Sequence, residues 1–591
     1  MSERLDERTD AWPLRPWIMA GICALAGLIF HSLVDYHYDD PPITPWRQAG
    51  ATFVAIAAVS FVMTVEKRRW LWAVAFALGW GLVIALVGWF TAGYNVDATI
   101  FEWPYLSGLF AVLLAAPLFQ TVRDEGRWQF PYGRLHSHAW NDAVIGAASL
   151  FFVGITFLMA WLIASLFDLI GIDGIKKLLQ KDWFGWILAG FAFGGAVGLL
   201  RERDRLTATL QRLVMVIFSV LAPVLAVALV LFLGSIPFTG LGKLWDSWVP
   251  ATPMLLVAAA GAILLANAVI GDGREDRARS RLLRWSALAL VAVVLPLAGI
   301  AALSMSIRIT EYGWTPERMW GVIAVAIALA YGLAGWWSIW RGRQDFDDPL
   351  RPEQTRLAIG VCALALFLAL PILDFGAISA RSQLQRLESG KVTPAEFDWA
   401  AMAFDFGPSG RARLEQVART AAPEVRTMAQ TALKTTNRWD VRQEELVAGP
   451  PPTELTVFPQ GATVPDDLRQ LLLQGTKGER AFCAGGGACR VYPQADGATF
   501  AVIMDGCANL PADQRADPKI NCSRDPAVFV REDGAWANAY DRDYSALALR
   551  PTNEAASLKQ ELDAIERGDV KVVPVEKRQL VIGGKPSGRV F

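Results

Sequence analysis

The sequence predicts a polytopic α-helical membrane bundle of about eleven spans followed by an extracytoplasmic α+β domain, and three observations predict it. The 591 residues are 53% hydrophobic, with 24 Trp and a mean hydropathy of +0.31, too apolar for one soluble globule. Eleven apolar runs have the length, roughly 20 residues, that crosses about 30 Å of hydrocarbon as helix. Lys and Arg alternate between rich and poor loops, the pattern left by retention of positive charge in the cytoplasm.

The runs lie near 16–34, 47–65, 70–91, 103–121, 142–166, 183–200, 214–234, 251–270, 285–305, 318–340 and 355–375. The sixth is short and contains "GFAFGGAVG", where Gly190, Gly194 and Gly198 recur every four residues and predict close helix packing within the bundle. Six alternate loops hold 22 Lys and Arg, and the five between them hold seven. The N-terminus is therefore expected inside and, after eleven crossings, the C-terminal part outside. The first run has no A-x-A-like end and reads as a signal anchor. "DGIKKLLQKDW" departs from the count, as an amphipathic segment at the interface or as a miscounted hairpin.

Composition turns polar after residue 375, which divides the chain into a transmembrane part, 1–375, a helical neck, 376–447, and an α+β domain, 448–591. Thr393, Pro394 and Glu396 form a capping box that predicts a helix over "TPAEFDWAAMAFDF", and "SGRARLEQVARTAAPEVRTMAQTALK" predicts more helix. "AGPPPTE" is expected to be a stiff linker. "ATFAVIMDG", "AVFVREDGAWANAY" and "KVVPVEKRQLVIGG" read as extended, the second with an Asp-Gly turn suited to a hairpin.

Cys483, Cys489, Cys507 and Cys522 fall in the last domain, whereas Cys23 and Cys362 lie in apolar runs. An even set in a domain expected outside predicts two disulfides. All three pairings are open, with "CAGGGAC" able to close as a small loop. The spacings of five, seventeen and fourteen residues lack the paired C-x-x-C of a zinc site.

Ionisable residues are nearly absent from the spans, which argues against an ion-coupled carrier. The candidate polar cluster is His31, Asp35, His37, Asp39 and Asp40 in "HSLVDYHYDDPP", able to ligate a divalent ion or supply a carboxylate, or simply solvated. The layout is similar to that of polytopic lipid-linked sugar transferases, which carry a catalytic Asp in the first external loop, although the loop here is only about a dozen residues long. His136 and His138 are expected in a cytoplasmic loop, at a spacing that puts them on different helix faces. No G-x-S-x-G, Walker or His-Glu-x-x-His motif occurs, so the sequence identifies no catalytic residue, metal or cofactor. A net charge of -1 and the lack of basic tracts exclude nucleic acid as the expected partner.

"RITEYGWTPER" joins the ninth and tenth runs, with Thr315 placed to cap a helix beginning at Pro316. Arg308 and Arg318 stand against the charge bias, so Arg308, Glu311, Tyr312 and Arg318 form a candidate lipid or partner contact. Salt bridges to Glu311 or Glu317, or a lipid headgroup, would account for the two arginines.

Tyr312, Gly313, Thr315 and Arg318, then Ile378, Ser379, Ala380 and Arg381, then Phe397 and Asp398, resemble motifs of the bacterial inner-membrane family catalogued as domain of unknown function 4153. The resemblance runs over roughly residues 1–420. It implies a multi-pass inner-membrane protein with a periplasmic tail and transfers no reaction. The expected role is a non-enzymatic envelope anchor in contact with membrane lipids, presenting its domain to an envelope protein or envelope material. The alternative is a lipid-linked substrate transferase or lipid transporter acting on the outer face.

Overall fold

A computed structural model of the chain describes residues 12–35, 43–67, 69–92, 99–242, 250–435, 438, 455–474, 482–483, 488–494, 496–505, 524–532, 535–538, 563–570, 581–582 and 585–586. Among these, eleven helices are long and apolar enough to cross a membrane. They are α1 (Arg15–Val34), α2 (Pro45–Thr64), α3 (Trp70–Thr91), α4 (Thr99–Glu125), α5 (Tyr132–Leu169), α7 (Asp182–Glu202), α8 (Asp204–Thr239), α9 (Ala251–Ile270), α10 (Arg281–Tyr312), α11 (Pro316–Gly342) and α12 (Asp347–Ala369). The short α6 (Gly174–Leu179) lies between α5 and α7, so both doubtful spans are present. Its lysines pair locally, Lys176 with Asp168 at 2.7 Å and Lys177 with Asp173 at 2.5 Å.

Proline and glycine set most helix ends. Pro45 and Pro316 open α2 and α11, where a missing N–H costs nothing. Gly240, Gly271 and Gly313 follow α8, α9 and α10 with positive φ. The last span stops at Ala369 rather than near 375, because Pro371 drives Leu370 to ψ 148. α5 begins at Tyr132, ten residues before its apolar run, so His136 and His138 are helical rather than in a loop.

Buried small residues pack the bundle. α1 and α7 approach so closely that a Cβ on Gly194 would lie 2.2 Å from the Met19 carbonyl oxygen, and one on Gly190 2.1 Å from that of Cys23. A core of Leu255, Ala262, Leu290, Val294, Leu297 and their neighbours joins α8 through α12.

Contacts divide the chain into two units, Met1–Thr393 with Ala401–Gln430, and Pro394–Ala400 with Thr431–Phe591. Thus α13 (Phe375–Glu388) and α14 (Gly407–Thr420) belong with the bundle, although the sequence assigns them to a separate neck. Asp374 caps α13 through the Ala377 N–H at 2.8 Å and also accepts from the Ser409 hydroxyl on α14. The capping box at Thr393 does not start a regular helix: turns occupy 394–396, and a π-helical turn spans Ala401–Asp405 before α14. α15 (Pro423–Lys434) follows, after a break at 421–422.

In the second unit a five-stranded sheet runs in the order β1 (Thr456–Val457), β2 (Ala488–Pro493), β3 (Thr499–Asp505), β4 (Arg524–Glu532) and β5 (Ala535–Asn538). β1 pairs parallel with β2, and the other pairs are antiparallel. Alternation sorts its side chains. Val491, Phe500, Val502, Ala527 and Phe529 meet Leu468 and Leu472 of α16 (Asp466–Gln474), whereas Tyr492, Ala501 and Ile503 meet Ile565. The expected β4–β5 hairpin forms, with Glu532 opposite Ala535; its Asp533-Gly534 turn lies outside the described residues. Val581–Ile582, in the third stretch expected to be extended, pairs with Lys585–Pro586 just beyond it in a separate two-stranded sheet.

Candidate functional site

The 310–318 turn is built by the ends of two helices and the face of a third. α10 ends at Tyr312 with its last carbonyls open, a concentration of partial negative charge. Arg318 Nη1 donates to the carbonyls of Tyr312 at 3.0 Å and Gly313 at 2.6 Å, and its guanidinium sits 5.5 Å from the Tyr312 ring centroid. From α13, Arg386 donates to the carbonyls of Thr310 and Glu311, and Gln383 Nε2 to those of Tyr312 and Trp314, each at 3.0 Å. The Ser382 hydroxyl accepts from the Trp314 N–H at 3.2 Å. Gly313 is required here: its φ is +76, and a Cβ would lie 2.7 Å from Arg386 Cδ. Thr315 accepts from the Arg318 N–H at 3.4 Å, the cap expected from the sequence.

The arginine question thus has an answer for Arg318, which caps carbonyls rather than pairing with Glu311 or Glu317. Arg308 is half-buried and has no hydrogen bond or ion pair among the described residues. The residues that complete the turn, Ser382, Gln383 and Arg386, escaped sequence reasoning. Their only signal was nearness to Ile378–Arg381, since a contact 70 residues away leaves no local pattern.

Of the polar cluster in the first loop, His31 and Asp35 are placed, 4.0 Å apart on successive turns at the end of α1. His37, Asp39 and Asp40 lie outside the described residues. Arg47 closes this end, donating to the carbonyls of Leu33 and Asp35, each at 2.9 Å. Among the described residues, no hydrogen bond or ion pair joins His31 or Asp35 to Arg308 or Glu311, and no group of three His, Cys, Asp or Glu could hold a metal.

The opposite ends of the helices carry the basic loops. At the end of α2, Arg15 donates to the Val65 carbonyl at 2.7 Å, Arg201 to that of Met63 and Arg123 to that of Thr64. Glu66 bridges Arg15 at 3.1 Å and Arg201 at 3.0 Å. Next to them, His138 reaches Asp124 at 3.1 Å, and Tyr132 Oη lies 3.1 Å from His136 Nδ1. A second cluster links Arg277 with Asp345 at 2.9 Å and Arg351 with Asp347 at 2.8 Å. The 271–280 loop joins the clusters, the Asp272 backbone lying against Gly133. Burial, together with a hydrogen bond to Asp276, pushes the Asp272 carboxyl up to about 6. All the described loops of the Arg-rich set therefore gather at one end of the bundle.

A cavity lined by Ile263, Ala266, Val294, Tyr331 and Gln354 measures about 10 Å³, space for one water. None of the candidate site residues lines it. In the second unit, Cys483 and Cys489 form a disulfide, closing the small loop that the sequence permits. Cys507 and Cys522 lie outside the described residues.

A profile described as "Domain of unknown function (DUF4153)" matches residues 52–413, well over half of the chain. No curated protein and no solved structure matches.

Proposed function

The chain belongs to the family described as domain of unknown function DUF4153, and from that premise we propose that it is a bacterial inner-membrane anchor presenting a periplasmic C-terminal domain to an envelope partner or envelope material. One observation carries this reading: Arg15, Arg123 and Arg201 bond the carbonyl end of α2, and Arg318 and Arg386 that of α10, so these five serve to hold the bundle together. Two further facts support the placement. Gathering of the Arg-rich loops at one end agrees with their retention in the cytoplasm. The Cys483–Cys489 bond suits an oxidising compartment.

Photo-crosslinking from the exposed Arg531 position on β4, in intact cells, tests the role. Discrete adducts with one envelope component are expected. Adducts with phospholipid alone would overturn the reading.

A further inference from the structure

Three arginines meet at the turn between α10 and α11. Arg308 and Arg386 both act electrostatically on Arg318, so the three form one positive patch. Arg318 and Arg386 use part of their donor sets on the carbonyls of residues 310–313. Glu317 offsets Arg318 through space, but neither Glu311 nor Glu317 forms an ion pair with these arginines among the described residues. The patch thus holds three guanidinium groups, with Glu317 acting on Arg318 only through space and no ion pair among the described residues.

Two more observations bear on what completes the patch. Among the described residues, Arg386 Nε is buried at the patch without a hydrogen-bond partner, and Trp320 Nε1 and the Ser379 hydroxyl, also buried and unpartnered, lie further back, toward the start of α13. Trp320 meets Phe375, the first residue of α13, edge to face at 5.5 Å, and Ser379 lies one turn further along that helix. The rim is apolar and aromatic, with Ile307, Tyr312, Trp314 and Ile378 all exposed. Aromatic residues beside cationic groups at the end of a membrane-length helix mark the depth of lipid headgroups. A guanidinium fits the phosphate group in a bidentate manner.

We propose that this turn binds the phosphate of an anionic phospholipid, with Arg308 and the free edges of Arg318 and Arg386 as its ligands and Tyr312, Trp314 and Ile378 against the lipid body. This site does not depend on the anchoring role. Its occupant is a lipid rather than an acidic peptide because the charged patch is continuous with an exposed apolar rim on a membrane-length helix.

The test uses the full-length protein in neutral detergent, titrated with phosphatidylglycerol, phosphatidylcholine or inorganic phosphate and read by native mass spectrometry. Phosphatidylglycerol is expected to bind, with Arg308→Gln weakening it about tenfold, the value of one charge-assisted contact, and Arg308→Lys retaining most of it. Among the described residues Arg308 has no hydrogen bond or ion pair, so the variant leaves the protein folded. Unchanged affinity in Arg308→Gln overturns the proposal. So does equal binding of phosphatidylcholine, or displacement of the lipid by an equal concentration of inorganic phosphate.

Discussion

Arg318 lies with its guanidinium 5.5 Å from the ring centroid of Tyr312 and donates at 3.0 Å to the carbonyl of that same residue. The side chain that opens α11 thereby closes α10. The sequence pattern Tyr-Gly-x-Thr-x-x-Arg is explained by this geometry: Gly313 turns the chain, Thr315 caps α11, and Arg318 neutralises the carbonyl end of α10.

Replacing Arg318 with Ala is expected to destabilise the folded protein by about 2 kcal/mol, since hydrogen bonds to charged groups contribute roughly 1.5–3 kcal/mol. Arg318→Lys should recover only part, because a compact ammonium cannot lie over the Tyr312 ring as the planar guanidinium does while it bonds the two carbonyls. Thermal unfolding in detergent measures both.

Gly194 is expected to tolerate no side chain. An added Cβ meets the Met19 backbone oxygen, which cannot move aside as a side chain would. Gly194→Ala should cost about 2 kcal/mol, whereas Gly146→Ala, with nothing within 4 Å, should cost nothing. Folded yield and unfolding temperature of the two variants decide this.

Asp272 gives the bundle a pH dependence of definite sign. A carboxyl raised from 3.8 to about 6 penalises the ionised folded state, so its cost is absent below 3.8, sets in through the window up to about 6 and is complete above. Asp272→Asn should therefore stabilise the protein at pH 8 and lose most of that advantage by pH 4. A difference that does not vary with pH would contradict the account.

Breaking the Cys483–Cys489 bond should weaken the second unit. Closing so short a loop contributes about 2 kcal/mol on the chain-entropy account. Thiol labelling before and after reduction, followed by unfolding of Cys483→Ser, Cys489→Ser protein, checks pairing and magnitude.

The spans were legible because length and hydropathy alone define them, and α9 matches its apolar run at both ends. The polar first turns of α5 and α12 were not, since Tyr132–Asn141 and Asp347–Gln354 look like loop until their partners are seen. Tyr132 and His138 join the helix-end network, and Arg351 bonds Asp347 and the Ile270 carbonyl. α16 and β2 were missed for another reason: nine and six residues carry too few periods to stand out beside "CAGGGAC". At the candidate site the sequence exposed Thr315 through local capping rules and Arg318 through the loop charge bias, but hid Gln383 and Arg386, whose partners are distant in the chain.

The central claim is that the Arg-rich loops and the 310–318 turn lie on opposite sides of the membrane, the turn facing the periplasm. Labelling Glu311→Cys and Arg279→Cys variants in intact cells with a membrane-impermeant maleimide tests it most directly. The account predicts that Cys at 311 reacts in intact cells and Cys at 279 only after lysis. Reaction at 279 in intact cells, or at neither position until lysis, would contradict it.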